Sequence, residues 1–318
     1  MSSDQPKARR LNVLPANTEE QNHEAVVRKG RFPSWLHRKL PKGNALLQTS
    51  KIVSKNRLHT VCEEAKCPNL LECWSAKTAT FLAMGKACTR NCGFCDIDFD
   101  KAPNPLDPKE PENIAESVKE LGLKHVVITM VARDDRDDGG SHHLVKIIEA
   151  VKDQCPDVTI EVLTSDFQGK WEDIDRVIDA KPDIFNYNTE TVRRLTPRVR
   201  HKATYVRTLE LLSRVKERSN IFVKSGLMVG LGETEEEVFE TLRDLKNVGC
   251  SIVTIGQYLQ ANIRKLLVKD FITPEQFLKY EQYGKSIGIQ EMYCGPFVRS
   301  SYNAGQFFQK LSQEVHSG

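Results

Sequence analysis

Six of the nine cysteines of this 318-residue chain lie between residues 62 and 95. Cys62, Cys67 and Cys73 have CxxxxCxxxxxC spacing, and Cys88, Cys92 and Cys95 have CxxxCxxC spacing. Two triplets suggest two iron–sulfur cubanes. A protein cubane usually takes four thiolates, so each triplet leaves one iron short of a cysteine. An iron in that state can bind a substrate or cofactor, as the open position of a catalytic metal site does. Structural zinc wants four ligands, commonly as CxxC pairs or CxxC with spaced histidines. Here only Cys92 and Cys95 form a CxxC, and although His59 lies near the first triplet, no HxxxH pair follows either one. A ferredoxin-like electron carrier would show CxxCxxCxxxCP runs, usually in a much shorter chain. Catalytic clusters are therefore the favoured reading, with zinc and electron carriage as the alternatives.

Ligands of this kind need a scaffold. Residues 1 to about 55 are polar and irregular, broken by Pro33 and Pro41, with Trp35 and Leu36 as anchors, and are expected to form an arm over a core. Six short apolar runs follow, at 79–85, 125–130, 158–163, 183–188, 221–230 and 251–259, and read as buried strands. Helical patterns alternate with them around 112–121, 141–153, 171–180, 203–217, 234–247 and 274–287. The alternation predicts an α/β fold, a partial TIM-like barrel of six parallel strands with helices outside and extensions at both ends. The second cysteine triplet falls in the loop that leaves the first strand, at the barrel face where such folds place their active sites. Polar groups gather at the other strand ends: Arg133, Asp134, Asp135, Asn186, Asn188, Glu190, Gln257 and Gln260, with Lys224 carried on the fifth strand.

The Gly230–Leu231–Gly232–Glu233 segment lacks the third glycine of a dinucleotide fingerprint, because position 235 is glutamate. Thr234 and Glu237 instead predict a capping box, and the helix amides there could also hold an anion. Lysine and arginine total 46 against 43 acidic residues, a net charge of +3 that signals neither nucleic acid nor a membrane surface. No apolar run approaches the ~20 residues of a membrane span, the start MSSDQPKARRLNV has no hydrophobic signal-peptide core, and Asp4, Glu19, Glu20 and Glu24 sit poorly in a transit peptide. A cytoplasmic chain with reduced thiols is expected.

With these residues assembled, CTRNCGFC at 88–95 resembles the cluster-binding signature of the radical S-adenosylmethionine (SAM) superfamily. The chain from about Arg57 onward resembles the lipoyl synthase family. The matching stretches are VCEEAKCPNLLECW (61–74), TATF (78–81), the RDD and DGG elements (133–140), KSGLMVGLGET (224–234), QYLQ (257–260) and GPFVRSSY (295–302). The resemblance implies a sulfurtransferase that inserts sulfur at carbons 6 and 8 of a protein-bound octanoyl-lysine. Unactivated C–H bonds offer no acidic proton, so a radical is needed.

The implied cofactors are SAM and two [4Fe–4S] clusters. One cluster would sit on Cys88, Cys92 and Cys95 and cleave SAM reductively. The other, a sulfur-donating auxiliary cluster, would sit on Cys62, Cys67 and Cys73 with Ser301 as its fourth ligand. Phe94, Asn186, Asn188, Glu190, Arg200 and Lys224 would surround SAM or the substrate path. Residues 1–76 would form an arm carrying auxiliary ligands, 77–290 the radical SAM barrel and 291–318 a closing segment. Implied partners are octanoylated lipoyl carrier domains (a 2-oxoacid dehydrogenase E2 or the glycine cleavage H protein), a flavodoxin or ferredoxin reductant, and iron–sulfur assembly proteins. The family pattern is departed from at Ala132, at Tyr187 between the two asparagines, and across 261–268, which places the differences on the rim of the substrate channel.

Overall fold

The computed structural model describes residues 32–37, 52, 55, 58–64, 67, 69–70, 73 and 80–301. Most of the expected arm and the end of the closing segment, including Tyr302, lie outside the described residues. The arm's anchors are partly visible. Leu36 is buried, and Phe32 meets Phe271 edge-on at 5.8 Å.

The strands are β1 (His59–Thr60), β2 (Thr80–Ala83), β3 (Ala87–Cys88), β4 (Asp98–Phe99), β5 (His125–Met130), β6 (Thr159–Leu163), β7 (Ile184–Asn186), β8 (Phe222–Val229), β9 (Ile252–Gln257) and β10 (Glu291–Gly295). The main sheet runs β1-β2-β5-β6-β7-β8-β9-β10. Every neighbouring pair is parallel except β1 with β2. The six expected strands are β2 and β5 to β9, and they form the partial barrel. Phe81, Val126, Ile128, Val162, Phe185, Val229 and Val253 are buried in it. Such β-branched and aromatic runs suit strands covered on both faces.

The sheet also holds a seventh parallel strand, β10, in the segment expected only to close over the barrel. Its residues EMYCG are mostly half-buried, as befits an edge, and so lack the apolar run by which a buried strand is recognised. A second sheet, β3 with β4, consists of two residues on each side. That pairing closes the loop carrying Cys88, Cys92 and Cys95 at its base, and Asp100 N–H donates to the Cys88 carbonyl at 3.0 Å.

The outer helices begin where their caps dictate. Thr204 and Thr273 accept from backbone amides three residues on, and Pro274 opens the last helix, where its missing N–H costs nothing. Thr234 and Glu237 make the expected capping box for the helix Glu235–Asn247. No helix among the described residues is long and apolar enough to cross a membrane.

Side chains alternate across a strand, so residues two apart share a face. On the inner face this stacks two polar layers. Nearer the amino ends lie His125, Glu161, Asn186 and Lys224; one pleat further on are Asn188 and Gly226, at the mouth.

Candidate active site

The mouth opens into a cavity of about 510 Å³. Cys88, Cys92 and Cys95 line it, together with Cys67 from the first triplet and Ser300 and Ser301 from the chain's far end. Residues more than two hundred positions apart thus share one space.

The cysteine loop is clamped rather than simply suspended. Arg90, between Cys88 and Cys92, places a bidentate guanidinium on Asp134 at 2.9 and 2.8 Å and reaches Asp166 at 2.6 Å. Arg90 and Asp134 are nearly buried and Asp166 wholly so. Burial alone would lower the Arg90 pKa, yet the two carboxylates outweigh it and hold the arginine above its ordinary value. Thr89 adds two bonds to the Ala132 carbonyl, from N–H at 3.0 Å and from its hydroxyl at 2.9 Å. Gly93 N–H donates to Val199 O and Gly93 O accepts from Leu266 N–H, both at 2.9 Å.

The three cysteines are half-buried at the cavity wall. Cys92 Sγ accepts from His201 N–H and Cys88 Sγ from Arg90 N–H, each at 3.4 Å. Burial pushes the Cys92 thiol up and the Cys95 thiol up to about 12. Such thiols are poor nucleophiles on their own, whereas a bound cationic cluster would deprotonate them outright. Among the described residues no three His, Cys, Asp or Glu side chains meet at the distances a single metal ion requires. A cubane differs in needing its thiolates on separate irons.

The first triplet is tied to the closing segment by a residue that sequence reasoning passed over. Asn69 is buried, accepts from Cys73 N–H at 2.9 Å through its carbonyl, and donates from Nδ2 to the Phe297 carbonyl at 2.8 Å. This staple brings the Cys67–Cys73 segment against the strand end that leads to Ser301. Gly256 admits that segment: a Cβ there would lie 2.1 Å from the Val298 carbonyl oxygen. Cys62 lies in the short helix Val61–Glu64, whose Val61 lines the cavity.

The cavity floor carries unmet valences. Asn188 Oδ1 and Thr164 Oγ1 are buried with no hydrogen-bond partner, and both residues line the cavity. Gly226 leaves room beside them, since a Cβ would stand 2.4 Å from Thr254 Oγ1 and 3.0 Å from Asn188 Oδ1. Glu190 adopts a left-handed backbone, φ 65°, at a strand end where its carboxylate accepts from Asn188 Nδ2 at 3.1 Å. Burial raises its pKa against the pull of Arg200. Arg200 is nearly buried but bonds only neutral acceptors: Tyr187 Oη and Thr208 Oγ1, both at 2.7 Å, and the Thr189 carbonyl at 3.4 Å. An orphaned amide oxygen, an orphaned hydroxyl and a buried guanidinium in no salt bridge among the described residues suit a polar, zwitterionic ligand such as SAM.

Of the expected cofactor contacts, Phe94, Asn188, Glu190 and Arg200 line the cavity. Asn186 and Lys224 do not, and in this structure their side chains bond Glu161. Lys224 Nζ holds Glu161 at 2.8 and 3.0 Å, Asn186 Nδ2 holds the same carboxylate at 2.9 Å, and His125 Nε2 lies 3.3 Å from it. The physical reason is the pleat: both residues point inward, but one step too near the amino ends of their strands. In the glycine-rich turn the Glu233 carboxylate itself accepts from the Gly230 and Leu231 amides. Thr164, Tyr187 and Asp166 join the site although sequence reasoning gave them no role; a polar residue just past each strand end was the available signal.

A parallel partial barrel with a CxxxCxxC loop at its carboxyl face defines a radical SAM enzyme, and the model of the radical SAM superfamily matches residues 82–245. A model of the N-terminal domain of lipoyl synthase of that family matches residues 1–67. The chain is 66% identical to a lipoyl synthase of Protochlamydia amoebophila, over 99% of this chain and 98% of the relative. It is 54% identical to one from Chlamydia trachomatis serovar D, over 90% and 92%. The chain belongs to the lipoyl synthase family. Among solved structures, methylornithine synthase PylB aligns with TM-score 0.52 at 13% identity, over 84% of this chain and 77% of that one. Streptococcus suis SuiB bound to S-adenosylmethionine aligns with TM-score 0.53 at 12% identity, over 71% and 53%. These likenesses show the shared fold. Family membership makes the chain a radical SAM sulfurtransferase with SAM and two [4Fe–4S] clusters as cofactors, forming lipoyl from octanoyl groups on lipoyl carrier proteins.

Proposed function

We propose that the single cavity is where both cofactor sites and the octanoyl chain meet. Cys88, Cys92 and Cys95 hold the SAM-cleaving cluster, while Cys62, Cys67, Cys73 and Ser301 hold the sulfur-donating one. The observation that carries this reading is that Cys67 and Ser301 line the same cavity as all three thiols of the second triplet. When bound, these groups supply a carbon-centred radical able to take hydrogen from unactivated C–H bonds, and the sulfur that replaces it.

The chain's own residues supply position and exclusion of water. Asn188, Thr164 and Glu190 offer bonds to hydroxyl and ammonium groups, and Arg200 offers its guanidinium to a carboxylate. Phe94, Leu82, Met130, Leu163 and Leu227 give the wall an apolar lining suited to an alkyl chain. Arg90 fixes the cysteine loop relative to strands β5 and β6, because its two carboxylates follow those strands. A serine oxygen is a harder and less firmly held ligand to iron than a thiolate, which suits a cluster that must yield sulfur.

The finer assignments follow from this reading. Residues 1–76 act as the arm bearing auxiliary ligands, 77–290 as the barrel and 291–318 as the closing segment. A flavodoxin or ferredoxin delivers electrons, iron–sulfur assembly proteins rebuild the spent cluster, an E2 or H-protein domain presents the octanoyl-lysine, and the chain works in the cytoplasm. The test is anaerobic reconstitution with iron and sulfide, followed by mass spectrometry of SAM and an octanoyl-lysyl peptide under reductant. Gain of two sulfurs by the peptide with release of 5′-deoxyadenosine is expected. Cleavage of SAM with an unchanged peptide would remove the substrate assignment.

A further inference from the structure

After β9 the chain runs along the cavity wall through Leu259, Gln260 and Ala261, then leaves it as a loop over residues 262–270. That loop is firmly tied down. Leu266 N–H bonds Gly93 O at 2.9 Å, Tyr258 Oη donates to Leu266 O at 2.7 Å, and Gln260 Nε2 donates to Lys265 O at 3.0 Å. Lys269 and Asp270 N–H groups both turn to Gly230 O, at 2.8 and 3.3 Å. A loop with its backbone so committed still shows solvent two large aliphatic side chains: Ile263 is 94% and Leu267 62% exposed. They are two of the most exposed large apolar residues described. Isolated exposed aliphatics mean little, but a pair on one ordered loop at the lip of a reaction cavity is a docking feature.

The charge around the pair has one dominant sign. Arg264 and Lys269 are exposed and have no carboxylate partner among the described residues. Among the described residues Lys265 reaches Asn91, at 3.4 Å, and Lys202, also exposed, is 3.4 Å from Asp134 on the other side of the cysteine loop. Of the arginines at 193, 194 and 198, Arg193 pairs with Asp244 at 3.1 Å and Arg194 with Glu237 at 2.6 Å, while Arg198 is exposed with no carboxylate partner among the described residues. Among the described residues, positive charge without a carboxylate partner is therefore found on the 262–270 loop, around an apolar centre, and at Arg198.

We propose that this loop is the docking surface for the carrier domain: Ile263 and Leu267 seat against an apolar spot beside the acylated lysine, and Arg264, Lys265 and Lys269 meet acidic side chains around it. The inference rests on the proposed function, because the octanoyl-lysine must enter the cavity while its domain stays outside. A domain bound at the lip meets the 262–270 loop first. Opposite charges there speed encounter, and the apolar pair slows release.

The test separates domain docking from chemistry. Wild-type protein and the variants Ile263→Ser/Leu267→Ser and Arg264→Glu/Lys269→Glu are reconstituted and given two substrates. One is an octanoylated lipoyl carrier domain with acidic residues flanking its lysine; the other is a short octanoyl-lysyl peptide. The charge-reversal variant is expected to lose about tenfold in kcat/KM on the domain, with the loss shrinking at high salt, and to keep peptide turnover within about twofold. Direct binding of the domain to the protein without its clusters should weaken in parallel. Equal losses on domain and peptide, or a fall in thermal stability showing that the chain's own arm covers the patch, would overturn the inference. So would unchanged turnover of the domain. Failure of the wild type to thiolate either substrate would instead count against the proposed function.

Discussion

Two polar layers one pleat apart inside the same barrel behave oppositely. In the layer nearer the strands' amino ends, Lys224 and Asn186 spend themselves on Glu161. In the mouth layer, Asn188 and Thr164 keep unpaired buried atoms and Arg200 has only neutral acceptors. The first arrangement is closed in charge, with the Glu161 carboxylate and the Lys224 ammonium paired within it, although Asn186 Oδ1 and His125 Nδ1 have no hydrogen-bond partner among the described residues. The second borders the cavity, where a ligand or water can meet a buried polar atom whose lack of a partner otherwise costs about 1–3 kcal/mol. Burial and charge alone therefore do not mark a binding site; unspent hydrogen-bonding capacity that borders a cavity does.

The sharpest way to break this comparison is to open the closed layer. Glu161→Gln would strand the Lys224 ammonium, which is 1% exposed, and should cost about 3–5 kcal/mol of stability in denaturant melts. Adding Lys224→Met should recover most of that loss, as removing both partners of a buried pair commonly does. The pH dependence has a definite sign. Burial opposes ionisation of Glu161, but Lys224 and His125 outweigh it and hold the pKa at about 2 against an ordinary 4.5. A depressed carboxylate pKa contributes stability that is complete above the ordinary value and is lost as pH falls from 4.5 through about 2. An acid titration of wild type against the Glu161→Gln/Lys224→Met pair should show that loss only in the wild type.

Next in size is the clamp on the cysteine loop. Arg90→Gln leaves Asp134 and Asp166 facing each other with less cation between them, and should release about half of the bound iron from reconstituted protein. Iron analysis with absorption spectroscopy checks it. Arg90→Lys should retain more iron than Arg90→Gln yet less than wild type, since a lysine supplies the charge without the bidentate fork. In the mouth layer, Asn188→Leu should weaken SAM binding about tenfold while stability changes by less than about 1 kcal/mol. That contrast with Glu161→Gln is the comparison in its sharpest form. Smallest is the Asn69 staple: Asn69→Ala removes one bond to Phe297 and should cost about 1 kcal/mol, read as a few degrees in Tm.

Much of this architecture was legible in the sequence, for reasons tied to particular residues. Strands β2 and β5 to β9 are continuous apolar runs because helices cover one face and the barrel interior the other. Thr234 and Glu237 predicted their capping box because that motif is local. β10 escaped because its EMYCG run is mixed in polarity, and β3 and β4 because two residues carry no periodicity. The cysteine triplets stood out by spacing alone. The depth of Asn186 and Lys224 in the barrel was not legible, because sequence reports that a residue faces inward, not how far along the pleat it sits. Asn69 and Asp166 could not be seen at all, since their partners are Phe297 in one case and Arg90 and Arg207 in the other.

The claim that two separate cluster sites share one cavity is tested most directly by removing each triplet in turn and assaying SAM cleavage, peptide thiolation and iron together. With Cys62, Cys67 and Cys73 all changed to alanine, the protein should keep about half its iron and still form 5′-deoxyadenosine, but add no sulfur to the peptide. With Cys88, Cys92 and Cys95 changed, it should also keep about half its iron yet cleave no SAM. Loss of all iron in either variant, or sulfur insertion without the first triplet, would contradict the account.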